Sequence, residues 1–261
     1  MAYAIQRSSS STSALAGVLW SSSSLVTQLS CALLAAQEDP ELGTNHESAN
    51  PGSGVEETRA AARSSIYGLF QDALAYPDDE VREALAAGEF VELMRKGLAV
   101  AEVDFTPAQE GWRALQEVGS TEDLAIEYTR LFDAGASGPP CPLYAGLYGG
   151  DRMKKMEEAV RFYNHFGVTT SEAQRELPDH LPTQLEFMHY LTYREAEALH
   201  AGSDPGPYRR AQRDFVTRQL DNWMPTLCER LEEHKANDFF LSLFKLLADF
   251  LASEVRRLKA Y

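Results

Sequence analysis

Apolar residues recur every three or four positions from about residue 56 to the C-terminus. This spacing predicts amphipathic helices, because residues at i, i+3, i+4 and i+7 share one helical face. The apolar stripe of the first helix contains Ala62, Ile66, Leu69, Phe70 and Ala73. The last helix, expected over Asp238 to Leu258, has a stripe that includes Phe240, Phe244 and Phe250. No stretch shows the alternation of a half-buried strand bounded by hairpin turns. The pattern predicts an all-α fold.

Prolines mark several of the predicted helix boundaries. Pro77 closes the first helix, and Pro107 opens a later one at the first helical position, where its missing N–H removes no hydrogen bond. A Pro-rich loop at 135–146 separates two further predicted helices. The helix before it has an inward face made of Leu124, Tyr128, Leu131 and Phe132. The helix after it, at 150–166, has one face made of Met153, Met156, Val160 and Tyr163. The periodic segments together predict roughly nine or ten helices. A chain of 261 residues can bury a sizeable core, so we expect these helices to form one domain.

Residues 1–54 differ in composition from the rest of the chain. They contain two serine runs and the polar stretch GTNHESANPGSG. A signal peptide would need a more basic start than the single Arg7, and serines interrupt its apolar run. We therefore expect a disordered tail, or a mis-assigned start codon, over 1–54, and a helical domain over 55–261.

Composition excludes several classes of function. The net charge of −15 argues against nucleic-acid binding. Such acidity would attract a cationic partner, and a high-salt cytoplasm is the alternative reason for it. Three scattered cysteines predict no disulfide framework, which suits a reducing compartment. No apolar run reaches the ~20 residues of a membrane helix. The six histidines form no zinc-ligand spacing, and the glycines form no phosphate-binding loop, so no metal, cofactor or enzymatic activity is predicted.

The Pro178-Asp179-His180 segment admits three interpretations. Asp179 could cap the next helix, with Pro182 in its first turn, or Thr183 and Glu186 could form a capping box. The segment could instead contact a ligand, or His180 and Asp179 could act together in general-base catalysis. Capping is favoured, because adjacent residues at a helix start point in different directions and no nucleophile motif accompanies them.

The Pro139-to-Tyr144 segment has three prolines in four positions, which make it rigid. A protruding Leu143 and Tyr144 would make good contact points, since little entropy is lost on binding. The alternative is a stiff connector. Cys141 has no basic neighbour in sequence that would lower its pKa.

Four motifs in this order resemble the TorD/DmsD/NarJ family of chaperones for molybdenum-containing oxidoreductases. They are EYTRLF, the loop G-x-x-x-P-P-x-P-L-Y-x-G-x-Y, then F-Y-N-H-F-G, and P-D-H-L-x-x-x-L-E-F-M. The resemblance extends from about Ala60 to Phe250. The P-L-Y form is closer to chaperones that serve dimethylsulfide, ethylbenzene, selenate and chlorate enzymes. The resemblance to the family implies an all-α, TorD-like single domain.

The resemblance also implies a site. Its peptide- and client-binding residues are Leu143, Tyr144, Tyr148, Pro178, Asp179, His180 and Glu186. Where many relatives have Pro-Tyr-Glu-Ser, this chain has Leu143-Tyr144-Ala145-Gly146 after Pro142, so contacts made by that Glu and Ser have no counterpart. Phe187 and Met188 could add apolar surface, although core positions are favoured.

The function implied by the resemblance is that of a cytoplasmic, system-specific chaperone without enzymatic activity. It would bind an apo molybdoenzyme catalytic subunit and its twin-arginine signal peptide, as monomer or dimer, and assist insertion of the molybdenum cofactor, in contact with the cofactor-delivery machinery. The alternatives are a helical subunit retained in a mature respiratory complex, and a hydrolase that uses His180 and Asp179.

Overall fold

The computed structural model describes residues 6–7, 51–77, 79–136, 138–169 and 176–261. The helices are α1 (Pro51–Ala73), α2 (Asp79–Ala86), α3 (Glu89–Val100), α4 (Gln109–Gln116), α5 (Thr121–Tyr128), α6 (Arg152–His165), α7 (Leu181–His200), α8 (Gly206–Phe215), α9 (Met224–Glu233) and α10 (Asp238–Leu258). π-Helical turns extend α5 over Thr129–Asp133 and α8 over Val216–Leu220, and 3₁₀ turns cover Ala145–Leu147 and Asp221–Trp223. The predicted all-α fold is confirmed. Most of the expected 1–54 tail lies outside the described residues.

The core forms around α1 and α7, which pack along each other over much of their length. Between these helices, Nδ1 of the partly buried His189 lies 2.9 Å from Ser64 Oγ, and burial lowers the pKa of this histidine. The ring lies beside Gly68, where an added Cβ would stand 3.6 Å from His189 Nδ1, in ordinary van der Waals contact. The residues named above for the apolar stripes of the first and last helices are all buried. Phe187 and Met188 are also fully buried, as expected for core residues.

A buried ion cluster joins four helices. The Glu254 carboxylate, fully buried on α10, accepts from Arg63 of α1 at 3.0 Å and from Arg257 at 2.8 Å. Arg257 also donates to Gln212 of α8, which in turn donates to Glu195 of α7. Removing one member of such a cluster would leave an uncompensated charge in the core.

The residues aligned on α6 lie in different environments. Tyr163 is buried, whereas Met153 is 61% and Val160 37% exposed. The side of α6 that faces the core is the one carrying Ala159 and Tyr163. Beyond α6, strand β2 (Val168–Thr169) pairs antiparallel with β1 (Gln6–Arg7). None of the described helices combines the length and apolar content that crossing a bilayer requires.

Candidate functional site

The two Pro-rich loops singled out in the sequence lie against each other. The Leu181 N–H donates to the Leu143 carbonyl at 2.8 Å, and the Ala145 N–H donates to the Asp179 carbonyl at 3.0 Å. We call residues 139–147 and 176–181 the paired loops. Their backbone contacts mean that they form one wall of a site and do not face each other across a groove.

A small cleft opens beside the paired loops, where they meet the end of α1 and the π-helical turn after α5. It has a volume of about 100 Å³. We call it the acidic cleft, and its lining consists of Ala75, Tyr76, Tyr128, Phe132, Asp133, Leu143, Tyr144, Glu176, His180 and Pro182. Of the seven predicted site residues, the cleft brings together Leu143, Tyr144 and His180.

Glu176 is the centre of the polar contacts in the cleft. Its Oε2 accepts a hydrogen bond from the Tyr144 hydroxyl at 2.6 Å. The same oxygen lies 3.7 Å from His180 Nδ1, which has no hydrogen-bond partner among the described residues. Burial lowers the pKa of His180 below its usual 6.5, against the opposing influence of Glu176 and Asp179. The imidazole is therefore uncharged at neutral pH.

The cleft attracts cations. Burial, followed by the charge of Glu176, raises the pKa of Asp133 at the cleft mouth. Neither Lys nor Arg occurs among the described residues that line the cleft. Tyr76, which is 54% exposed, lies edge-on to Tyr128 at 5.5 Å and adds an aromatic surface. Two carboxylates beside aromatic rings suit one guanidinium or ammonium group.

Asp179 has a structural position that differs from the expected cap. His180, not Asp179, is the N-cap of α7, and its side chain makes no capping bond. The Asp179 carboxylate is fully buried, and Oδ2 accepts from the Gly146 N–H at 3.0 Å. No hydrogen bond joins this carboxylate to the His180 ring in the described structure. The capping interpretation of Asp179 is wrong, whereas Pro182 does lie in the first turn of α7.

The remaining predicted residues lie around the cleft without lining it. The Pro178 carbonyl accepts from the Tyr163 hydroxyl at 2.7 Å. Glu186 is buried close to Tyr163, whose pKa is raised by burial and then by the Glu186 charge. Tyr148 stacks on Trp223, with ring centroids 4.8 Å apart. Pro178, Glu186 and Tyr148 therefore interact with Tyr163 or Trp223, neither of which lines the cleft.

Two further expectations concern the Pro-rich loop. Leu143 is only 2% exposed, so its interpretation as a protruding contact point is wrong, because the side chain turns into the core beside the cleft. Cys141 is fully buried, and burial raises the pKa of its thiol to about 11. Among the residues described, no group of His, Cys, Asp and Glu is arranged to hold a metal ion.

Sequence reasoning missed Tyr76, Asp133 and Glu176. Each was close to a noted feature: Tyr76 precedes Pro77, Asp133 follows the EYTRLF motif, and Glu176 stands two residues before Pro178. The three residues are far apart in the chain, so the sequence does not indicate that they meet. The only available signal was that each lies next to a feature already noted.

Comparisons with known proteins agree on one family. The profile of the family described as "Nitrate reductase delta subunit" matches residues 70–229. The perchlorate reductase assembly chaperone protein of Dechloromonas aromatica is 30% identical over 205 residues, which cover 77% of this chain and 91% of that protein. The selenate reductase assembly chaperone protein of Thauera selenatis is 39% identical over 158 residues, covering 58% and 78%. The chlorate reductase assembly chaperone protein of Ideonella dechloratans is 38% identical over 143 residues, covering 52% and 74%.

Proposed function

Because this chain belongs to the nitrate reductase delta subunit family, which includes TorD and the reductase assembly chaperones, we propose that it is an assembly chaperone for a molybdoenzyme of the dimethyl-sulfoxide-reductase type. It holds the apo catalytic subunit in the cytoplasm and binds that subunit's twin-arginine signal peptide. It keeps the subunit competent for insertion of the molybdenum cofactor and has no catalytic activity of its own. The names of its relatives support the chaperone role.

The acidic cleft is the observation that carries the peptide-binding part of this proposal. A signal peptide with two arginines presents guanidinium groups, which pair well with carboxylates and stack on aromatic rings. Asp133 and Glu176 supply the carboxylates, and the exposed ring of Tyr76 supplies a stacking face. The volume of about 100 Å³ accommodates the end of one long side chain.

The structure gives little support to hydrolysis by His180 and Asp179. The Asp179 carboxylate is bonded to a backbone N–H and does not orient the imidazole. No serine, threonine or cysteine is among the described residues that line the cleft. A subunit retained in a mature complex remains the second candidate, since an all-α domain of this kind also suits a permanent subunit interface.

Peptide binding tests the role of the cleft. A fluorescein-labelled peptide with Arg-Arg before an apolar run should bind the full chain, and the Lys-Lys version should bind less tightly because Lys lacks the bidentate fork. Glu176→Gln should weaken binding of the Arg-Arg peptide roughly tenfold, and Asp133→Asn should weaken it in the same direction. Glu83→Gln, which removes an exposed carboxylate on α2, is the matched control. If both cleft variants bind like the control, the peptide site lies elsewhere.

Co-purification tests the client. The chain, tagged at its C-terminus, is recovered from its source organism grown under conditions that induce molybdoenzymes, and the proteins bound to it are identified by mass spectrometry. A cofactor-free catalytic subunit that still carries its leader is the expected partner. Recovery of the mature, cofactor-loaded complex would favour the retained-subunit alternative. Absence of any oxidoreductase, where one is being made, would contradict both.

A further inference from the structure

A second hollow lies between α4 and α10 and shares no lining residue with the acidic cleft. Its volume is about 530 Å³. Trp112, Leu115 and Leu246 form an apolar floor, each at most 5% exposed, and Leu241 is partly buried beside them. We call this hollow the α4–α10 groove.

The side of the groove formed by α4 carries small residues. Ala108, Gly111 and Ala114 follow one another at intervals of three residues and all line the groove. A Cβ added at Gly111 would meet nothing within 4 Å. Glycine inside a helix costs about 1 kcal/mol relative to alanine, and here the chain itself does not fill the space that glycine leaves. The missing side chain allows another backbone to approach α4 closely, as small residues do at helix crossings.

The α10 wall sets the length of the groove. Lining residues on α10 extend from Asp238 to Asp249. At about 1.5 Å per residue, that distance is roughly 16 Å, or three helical turns. A groove of this length between two helices fits an amphipathic helix that lays its apolar face on the floor.

The cations of the groove are already paired. Lys245 Nζ lies 2.8 Å from Glu232, and Arg113 Nε lies 3.8 Å from Glu117. Neither positive charge is therefore free to balance the other carboxylates that line the groove.

Three carboxylates are left over. Glu110, Asp238 and Asp249 line the groove and make no ion pair with any described residue. All three carboxylates are exposed, and burial raises the pKa of Asp249 against the opposing charge of Arg256. The rim of the groove is therefore negatively charged, and a partner that brings positive charge over it is complementary to it.

We propose that the α4–α10 groove binds a basic amphipathic helix of about three turns from the mature part of the client polypeptide. The inference rests on the proposed chaperone function and adds a second, separate surface to it. The client would then be held at its leader by the acidic cleft and within its mature chain by the groove. Two linked contacts strengthen binding through effective concentration, without any increase in the affinity of either.

A synthetic peptide tests the groove directly. The probe is a labelled 14-residue peptide of Leu and Lys in amphipathic helical order, and its fluorescence anisotropy is measured with the full chain. A peptide of the same composition in scrambled order controls for non-specific attraction to a protein of net charge −15. Asp249→Lys should weaken binding of the ordered peptide roughly tenfold, whereas Glu83→Lys, which reverses an exposed charge on α2, should change it less than twofold.

Gly111→Leu provides a variant that blocks the groove without a change of charge. Leucine has a higher helix propensity than glycine, and its Cβ would meet nothing within 4 Å, so α4 should be retained, as circular dichroism can verify. This variant should also lose binding of the ordered peptide. Unchanged binding in both Asp249→Lys and Gly111→Leu, or equal binding of the scrambled peptide, would overturn the proposal. The proposal would also be overturned if the wild-type chain formed a dimer, Gly111→Leu dissociated that dimer, and no peptide bound. The groove would then be the contact with a second copy of the chain.

The two sites can fail independently. Glu176→Gln should reduce binding of the Arg-Arg peptide only, and Gly111→Leu should reduce binding of the amphipathic peptide only. If wild type binds no Arg-Arg peptide, the leader site is wrong. If it binds no amphipathic peptide, the groove assignment is wrong.

Discussion

Substitution of Asp179 separates a structural carboxylate from one that contacts the client. The side chain is fully buried and accepts the Gly146 N–H at 3.0 Å, which holds the paired loops in register. In Asp179→Ala, this buried N–H loses a charged acceptor, a loss of about 1.5–3 kcal/mol. In a chain of this size each kcal/mol lowers Tm by about 2–4 °C. Asp179→Ala should therefore lower Tm by roughly 3–12 °C.

Asp179→Asn gives the sharper comparison. Asparagine has nearly the same shape, and its side-chain oxygen can accept the same N–H, but a neutral acceptor forms a bond about half as strong. The expected loss is about 1 kcal/mol, or roughly 2–4 °C in Tm. Because the carboxylate does not line the acidic cleft, affinity for the Arg-Arg peptide should stay within about twofold of wild type.

Thermal unfolding by circular dichroism and anisotropy with the Arg-Arg peptide measure the two effects on the same samples. Glu176→Gln should show the opposite pattern, with weakened binding and little change in Tm, since Glu176 lies at the cleft surface. If Asp179→Asn keeps its Tm and loses binding tenfold, the carboxylate contacts the peptide and the structural argument is refuted.

Three further variants or reactions test the packing. Gly146→Ala should lower Tm more than an ordinary surface change, because the new Cβ would stand 2.5 Å from Arg152 Cγ; an unchanged Tm would show that Arg152 moves aside freely. Glu254→Gln should cost about 3–5 kcal/mol in the free energy of unfolding at pH 7, because it leaves Arg63 partly uncompensated. Burial raises the pKa of Glu254, but the charges and hydrogen bonds of Arg257 and Arg63 outweigh burial, so its pKa in the folded protein is lowered. The wild-type protein therefore loses the stability that the Glu254 carboxylate contributes as the pH falls from about 4.3 through the folded pKa. Denaturant titrations at pH 7 and pH 3.5 should show the difference narrowing in acid, and a difference independent of pH would contradict the assignment. The Cys141 thiol, with its pKa near 11, should react with a thiol reagent only on unfolding, as stopped-flow absorbance can show, and rapid reaction in the native state would contradict its burial.

The sequence by itself determined the helical class and much of the core. Stripes such as Ala62 to Ala73 follow from local periodicity, which depends only on residues within a few turns. Pro182 lies in the first turn of α7 as expected, because proline lacks an N–H and fixes φ. Pro107 is not the first helical residue, since α4 begins at Gln109 after the N-cap Ala108, and α1 already ends at Ala73, before Pro77. The ordered motifs were also enough to indicate the family that the comparisons then showed.

Tertiary structure decided which faces are covered and which distant residues meet. Met153 and Val160 align with Tyr163 on α6, yet only Tyr163 is buried, because periodicity states which residues share a face and not what packs on it. Asp179 bonds to Gly146, which lies 33 residues away, so no helix-capping rule could reveal its partner. The acidic cleft likewise combines Tyr76, Asp133 and Glu176 from three separate parts of the chain. Their proximity depends on how α1, α5 and α7 pack, and helix packing is set by the whole set of side chains at once.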